Sequence, residues 1–292
     1  MPIIELDATS EEICAWLTDF LSPYETQALF LLGNELNPKQ QCVLYAFVAT
    51  HPLEVPRRQG PDTTVLGVCG YYPAFRSCSL FTLTPEASEA LGTHVAKRHP
   101  ITALLGTAQS AKPAYEALMT MGYTPLGAPE KAFFEMDIAK DFRPVPCPAG
   151  IIRPLEPQDE DAAIMLLRHM NSPPIAGPIT NEERARLRAN PIIFCLELDG
   201  KIVSLASTNG KAIHAFQILG VVTDPAYRNR GYAKAVCSHL IAFMKETGAT
   251  RAVLFTGKEN AAATRCYRDL GFTITGDYYV ALFSPSWSPK FP

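Results

Sequence analysis

An apolar run ending at Val221-Val222 passes through Thr223-Asp224-Pro225-Ala226-Tyr227 into Arg228-Asn229-Arg230-Gly231-Tyr232-Ala233, and beyond Gly231 the apolar residues change their spacing. Up to Val222 the pattern, beginning near Ile213, is that of a strand. From Ala233 onward, Val236, Cys237, Leu240, Ile241 and Met244 follow at steps of three, one, three, one and three, the period of an amphipathic helix that Gly248 closes. A strand, a short loop and a helix joined this tightly commit the region to an α/β layer. The junction is also an anion site in outline. Backbone N–H groups in a first helical turn have no carbonyl partner within the helix, and the helix dipole adds partial positive charge there. Gly231 permits close approach of a ligand to the backbone, Ala233 is small, and two arginines add charge.

The rest of the second half reads as a complete α/β domain. Ile151 to Leu155 reads as a strand, Glu160 to Met170 as a helix with Ala163, Leu166, Leu167 and Met170 on one face, and Asn171 to Pro178 as a loop. Thr180 and Glu183 are spaced as a capping box. Ile192 to Leu198, Asp199-Gly200 and Lys201 to Ser207 read as a hairpin. A strand over Ala252 to Phe255, a helix over Ala261 to Leu270, and strands at Phe272 to Ile274 and Tyr278 to Phe283 follow, with an irregular tail from Ser284.

Three prolines within Pro144-Val145-Pro146-Cys147-Pro148 forbid a continuing helix and mark a linker. The expected domains are therefore 1–140 and 148–292. Leu44 to Val48 and Ile193 to Glu197 are similar strand-like runs 149 positions apart, and Gly122-Tyr123 stands at the same offset from Gly271-Phe272. The pattern predicts a tandem of two similar domains.

A net charge of -3, with no run of five like charges, excludes the electrostatic footprint of a nucleic-acid or membrane-surface binder. Arg57-Arg58 and Lys97-Arg98 are isolated pairs. No apolar run approaches the roughly 18 residues of a spanning helix, and the first residues carry no signal-peptide pattern. The eight cysteines form no C-x-x-C pair. They read as buried thiols of a cytoplasmic protein, with neither a disulfide framework nor a metal site.

Arg228, Gly231 and Ala233, standing after a strand, and Asn260 ahead of a helix containing Tyr267, with Gly271-Phe272 just beyond it, resemble the two signature elements of the GNAT superfamily of N-acetyltransferases. The resemblance covers roughly residues 150 to 283. It implies an α/β fold of tandem GNAT-like domains, each a mixed, mostly antiparallel central sheet flanked by helices, with acetyl-CoA as cosubstrate and a small-molecule amine as acceptor. Position by position, it implies that Val221, Val222 and Thr223 bind the pantetheine arm through backbone groups. Asn229, Arg230, Gly231, Tyr232, Ala233 and Lys234 would cradle the diphosphate beside Arg228, and Asn260 would touch the cosubstrate.

Attack of an amine on a thioester needs a neutral nucleophile and a proton for the departing thiolate. Tyr267, with an ordinary phenol pKa near 10, is protonated at neutral pH and suits the second task. For the base, some members of the family that this sequence resembles place a glutamate on the strand before the Asn260 helix, and here Ala252-Val253-Leu254-Phe255 supplies none; the candidates are His214 and Glu197, of which His214 has the more suitable intrinsic pKa. The first half has no Arg-x-x-Gly-x-Ala. Acidic residues stand at Glu86 and Glu89, and Leu118 replaces Tyr267 at the offset of 149. It reads as a degenerate domain without cosubstrate. Two alternatives stay open on the sequence: acetylation of a protein amine, and a non-catalytic acyl-CoA-binding module.

Overall fold

A computed structural model describes residues 3–35, 42–48, 65–170, 173–190 and 192–284. In chain order these form β1 (Ile3–Leu6), α1 (Glu11–Leu21), α2 (Leu29–Glu35), β2 (Val43–Val48), β3 (Val65–Tyr72), β4 (Ser77–Thr82), α3 (Pro85–Ala96), β5 (Ala103–Thr107), α4 (Ala108–Thr120), β6 (Glu130–Asp137) and α5 (Ile138–Asp141). The second half adds β7 (Ile151–Pro154), α6 (Glu160–Arg168), α7 (Asn181–Arg188), β8 (Ile193–Leu198), β9 (Lys201–Lys211), β10 (Ala215–Thr223), α8 (Tyr232–Glu246), β11 (Arg251–Gly257), α9 (Ala261–Leu270) and β12 (Thr273–Leu282). Arg57-Arg58, Asn171-Ser172 and the tail from Pro285 lie outside the described residues.

Two compact units emerge, and they are not the two halves of the chain. The first comprises Met1–Phe133, Phe255–Lys258 and Thr275–Pro292; the second comprises Phe134–Leu254 and Glu259–Ile274. A cut at 140–148 therefore separates strands that belong together. The reason is strand pairing. Tyr278–Leu282 of β12 runs antiparallel to β5, so the end of the chain completes the sheet of the first unit. In the second unit the strand order is β6-β11-β10-β9-β8-β7, with β6 supplied from the first half of the chain.

The two units share one plan. In the first, β1, β2, β3 and β4 pair antiparallel in sequence and β4 then pairs parallel with β5. In the second, β7, β8, β9 and β10 pair antiparallel and β10 pairs parallel with β11. The mostly antiparallel, mixed sheet and the internal repetition are both as expected.

Local chemistry explains the element ends. Thr180 and Glu183 form the expected capping box on α7. Gly271, at φ +109, ends α9 in the left-handed conformation, and a Cβ there would lie 1.9 Å from the Asp141 carbonyl oxygen. Two details differ from the sequence pattern. The helix from Glu160 ends at Arg168, so Met170 lies outside it and is exposed, while Arg168 is buried beside Ala163, Ile164 and Leu166. The two final strands are one continuous strand, β12.

Candidate active site

β10 and β11 are hydrogen-bonded only where they start, Ala215 to Gln217 against Arg251 to Val253. From Ile218 onward they part, which leaves one edge of β10 without a strand partner and makes a fork. On its other edge β10 pairs with β9, and the register shifts between Leu219 and Val222. Gly220 sits in this bulge at φ +64, and a Cβ there would stand 2.9 Å from Ser207 Oγ. The Ser207 hydroxyl donates to the Leu219 carbonyl at 2.9 Å and holds the bulge open.

Beyond the fork the chain turns through Asp224. Its carboxylate accepts from the Ala226 N–H (2.9 Å) and pairs with Lys201 Nζ (2.7 Å), and the Lys201 ammonium holds the carboxyl below its usual range. Arg228 Nε donates back to the Thr223 carbonyl (3.2 Å), and an Arg230 guanidinium N–H donates to the Ala226 carbonyl (3.3 Å). Both arginines thus brace the turn while adding charge to it. Asn229 and Gly231 have φ of +63 and +81, so the backbone reverses twice before α8 begins.

The start of α8 is open. Gly231 caps it without any side chain, and the first helical N–H to find a carbonyl is that of Ala235, bonded to Gly231 O at 3.0 Å. Among the described residues the N–H groups of Asn229 to Lys234 have no acceptor. A Cβ on Gly231 would meet nothing nearer than Pro148, at 3.9 Å. Tyr232 is buried and the Lys234 ammonium pairs with Asp269 at 2.8 Å, so these two residues present their backbone rather than their side chains. Val222 packs into the core, Val221 is half-buried, and the Thr223 hydroxyl meets Ser204 Oγ at 2.8 Å.

The Lys234–Asp269 pair ties the first turn of α8 to the last turn of α9, and Tyr267 lies in that last turn. Tyr267 is buried, with its ring edge-on to Phe134 and Phe272 at centroid distances of 5.7 and 6.0 Å. Burial, with Cys237 and Cys266 nearby, pushes its phenol well above the usual range, so it carries its proton at neutral pH. Its hydroxyl has no hydrogen-bond partner among the described residues. Asn260 caps α9, with its Oδ1 accepting from the Ala263 N–H at 3.1 Å.

A model of the acetyltransferase (GNAT) family matches residues 164–272, a span that holds the fork, the α8 start and Tyr267. Glucosamine 6-phosphate N-acetyltransferase of Trypanosoma brucei brucei is 30% identical over 133 residues, which cover 41% of this chain and 87% of that protein. The chain belongs to the GNAT acetyltransferase family. Two solved structures extend the likeness in fold to the whole chain, each at 12% identity and each covering 98% of this chain and 99% of the other. One is a Drosophila protein, with a TM-score of 0.65, and the other is a tandem GNAT protein from the clavulanic acid biosynthesis pathway, with a TM-score of 0.54.

A GNAT enzyme takes an acyl-CoA as cosubstrate, and the open α8 start fits a diphosphate by its unfilled N–H groups and its unobstructed glycine. Not every expected residue gathers here. His214 is exposed in the turn before β10, where its carbonyl accepts from the Thr250 (2.8 Å) and Arg251 (3.2 Å) N–H groups. That is the closed end of the fork. The nine residues of β10, at about 3.3 Å each, separate His214 from the loop by roughly 25–30 Å. Glu197, on β8, is bound to Arg153 at 2.8 Å, with β9 between it and β10. The strands part at Ile218, four residues or roughly 13 Å along β10 from His214.

The first unit has the same fork in outline, β4 and β5 pairing only over Ser77 to Ser79 and Ala103 to Leu105, but it is stitched shut. The Thr82 N–H donates to Ser110 Oγ at 2.9 Å. Ser88 Oγ donates to the Ser110 carbonyl (2.6 Å) and accepts from the Ala114 N–H (3.0 Å), so a hydroxyl from α3 is inserted into the backbone ladder of α4. Gly92 lets the two helices touch, since a Cβ there would lie 2.6 Å from that of Ala114. The start of α3 is also self-satisfied: Thr84 Oγ1 accepts from the Ala87 N–H, and Pro85 has no donor.

Sequence reasoning missed the Gly220 bulge, the Ser110 stitch and a clamp in which Arg168 binds Glu183. Glycine inside a strand is a usable bulge signal. The other two depend on contacts 15 to 28 positions apart, which no local pattern announces.

Among the described residues no helix is long and apolar enough to cross a membrane.

Proposed function

We propose that the second unit transfers an acetyl group from acetyl-CoA to the primary amine of a small molecule, and that the first unit binds no acetyl-CoA. The observation that carries this reading is the contrast between the two helix starts: six consecutive N–H groups without acceptors at α8, against a capped and stitched start at α3. Acetyl-CoA supplies an activated acyl carbon whose thiolate leaves readily. The unpaired edge of β10 from Ile218 to Thr223 is shaped to receive the amide groups of a pantetheine arm, as an added strand would be received. Asn229 to Lys234 hold the diphosphate through backbone N–H groups, and Arg228 and Arg230 keep that loop in place. Asn260 caps α9 through its Oδ1, and its exposed side chain keeps an amide N–H₂ to offer the cosubstrate.

As the new C–N bond forms and the C–S bond breaks, the sulfur takes the C–S electron pair and the Tyr267 proton, while the proton shed by the amine nitrogen passes to water, from which the phenol is reprotonated. Burial keeps the phenol protonated at neutral pH, so its proton is available for the thiolate and no phenolate is present to act as a base. The likeness to glucosamine 6-phosphate N-acetyltransferase favours a small hydrophilic amine as acceptor. Incubation with acetyl-CoA and a panel of amines that includes glucosamine 6-phosphate, followed by free thiol release, tests the proposal. Thiol release dependent on a small amine is the expected result. Release only with a protein or peptide amine, or none with any acceptor, contradicts it.

A further inference from the structure

Transfer at the fork leaves one proton to place, the one shed by the amine nitrogen, and the protonated Tyr267 cannot take it. Asp224, the carboxylate just beyond β10, is paired with Lys201 at 2.7 Å, and the ion pair holds its carboxyl below the usual range, which makes it a poor base. Glu197 is likewise bound to Arg153. Imidazole is the side chain whose charge changes near neutral pH, the range in which a general base works best.

Most of the described histidines are engaged or distant. In the first unit, His94 meets Arg98 at 3.2 Å and His99 meets the Tyr45 hydroxyl at 2.8 Å. His239, on α8, has its ring edge-on to Phe194 at 4.7 Å, and His214 stands at the closed end of the fork. His169 differs from all of these. It is half-buried at the end of α6, where its backbone N–H bonds to the Leu166 carbonyl at 3.1 Å, and its ring nitrogens have no hydrogen-bond partner among the described residues.

Two interactions bracket its place. On one side, α6 lies over the strand bulge: a Cβ on Gly220 would stand 3.5 Å from Leu167 Cδ2, two residues before His169. On the other, the charge of His169 reaches the Asp224 carboxyl and helps to lower it. Gly220 and Asp224 enclose Val221, Val222 and Thr223, the free edge of β10. The end of α6 therefore runs along that edge and brings an unengaged imidazole with it. The charged groups around it are settled among themselves: Asp224 with Lys201, Arg168 with Glu183, and Arg228 braced on the Thr223 carbonyl.

We propose that His169 is the general base of the transfer, drawing off the amine proton through the water that first receives it. This assignment rests on the acetyl-transfer reading given above. The amine nitrogen forms the C–N bond with its lone pair and gives up one proton, by way of water, to the neutral imidazole. The sulfur takes the C–S electron pair and the Tyr267 proton. The imidazolium then releases its proton to bulk water, and the phenol regains one from it, so both groups return to their starting forms.

Steady-state kinetics of the full chain from about pH 5 to pH 9, with saturating acetyl-CoA and an amine that supports thiol release, tests the assignment. In the unaltered protein kcat/KM for the amine should rise through a limb at lower pH than the amine's own titration. His169→Gln should lower kcat by about 100-fold or more and abolish that limb. Acetyl-CoA affinity should stay within about twofold, as it does when the fold and the cosubstrate site are intact. In His169→Ala, added imidazole should restore turnover in proportion to its neutral fraction. Turnover of His169→Gln within about twofold of the unaltered protein, or a loss that leaves the limb in place, would overturn the assignment alone. Absence of thiol release from the unaltered protein with every amine would overturn the transfer reading and the assignment with it.

Discussion

Arg168 and Glu183 are joined by a two-pronged ion pair, Nε to Oε1 and Nη2 to Oε2, both at 2.8 Å. Of the remaining guanidinium hydrogens, two go to the carbonyls of Gly177 (2.7 Å) and Pro178 (2.9 Å) and one points to Met165 Sδ (3.7 Å), so a single buried side chain ties the end of α6 to Gly177-Pro178 and to the start of α7. The Arg168 guanidinium beside Glu183 holds its carboxyl down, to about 2. A carboxyl depressed on folding stabilises the fold above its unfolded pKa, near 4.3, and loses that contribution as the pH falls toward 2. Glu183→Gln should therefore melt several degrees below the unaltered protein at pH 7. Melting curves taken from pH 7 downward should show the gap closing below about pH 4, and a gap independent of pH would be the wrong result.

Tyr267→Phe keeps the ring that packs on Phe134 and Phe272 and removes only the proton donor. Turnover should drop by roughly 100-fold to 10,000-fold, the usual range of general acid catalysis, with acetyl-CoA affinity nearly intact. Stopped-flow turnover beside equilibrium binding measures both quantities. An unchanged turnover would remove Tyr267 from the mechanism.

Gly220→Ala places a side chain at φ +64, 2.9 Å from Ser207 Oγ. Strain of this kind costs about 1–3 kcal/mol and is relieved by flattening the bulge, which withdraws the β10 edge from the ligand. The KM for acetyl-CoA should rise by about tenfold, and the melting temperature should fall. Steady-state kinetics with a fixed amine resolves the effect.

His214→Ala should leave turnover within about twofold of the unaltered enzyme, since His214 lies at the closed end of the fork. The pH–rate profile should also keep its shape. Loss of an ascending limb in this variant would reinstate His214 as the base.

How much of this was legible beforehand follows the range of the interactions. The Arg228–Ala233 loop, the α8 period, the α9 limits and the Thr180–Glu183 box are all settled within a few residues, and each stands where the sequence pattern puts it. Partition into units failed at a single cut because β6 and β12 are each paired outside their own half of the chain, a choice made by sheet register and not by local propensity. Nothing in the residues around Arg168 announces its burial, and only its partner 15 positions on explains it. His214 had the right chemistry, and its sequence position said nothing about which end of the fork it would occupy.

The central claim, that the open start of α8 holds acetyl-CoA and the stitched start of α3 does not, is tested most directly by the number of acetyl-CoA molecules bound per chain at saturation. Isothermal titration of the full chain should give one, and Gly231→Val, which crowds the α8 start, should give none. Two per chain, or one that survives Gly231→Val, would contradict the account.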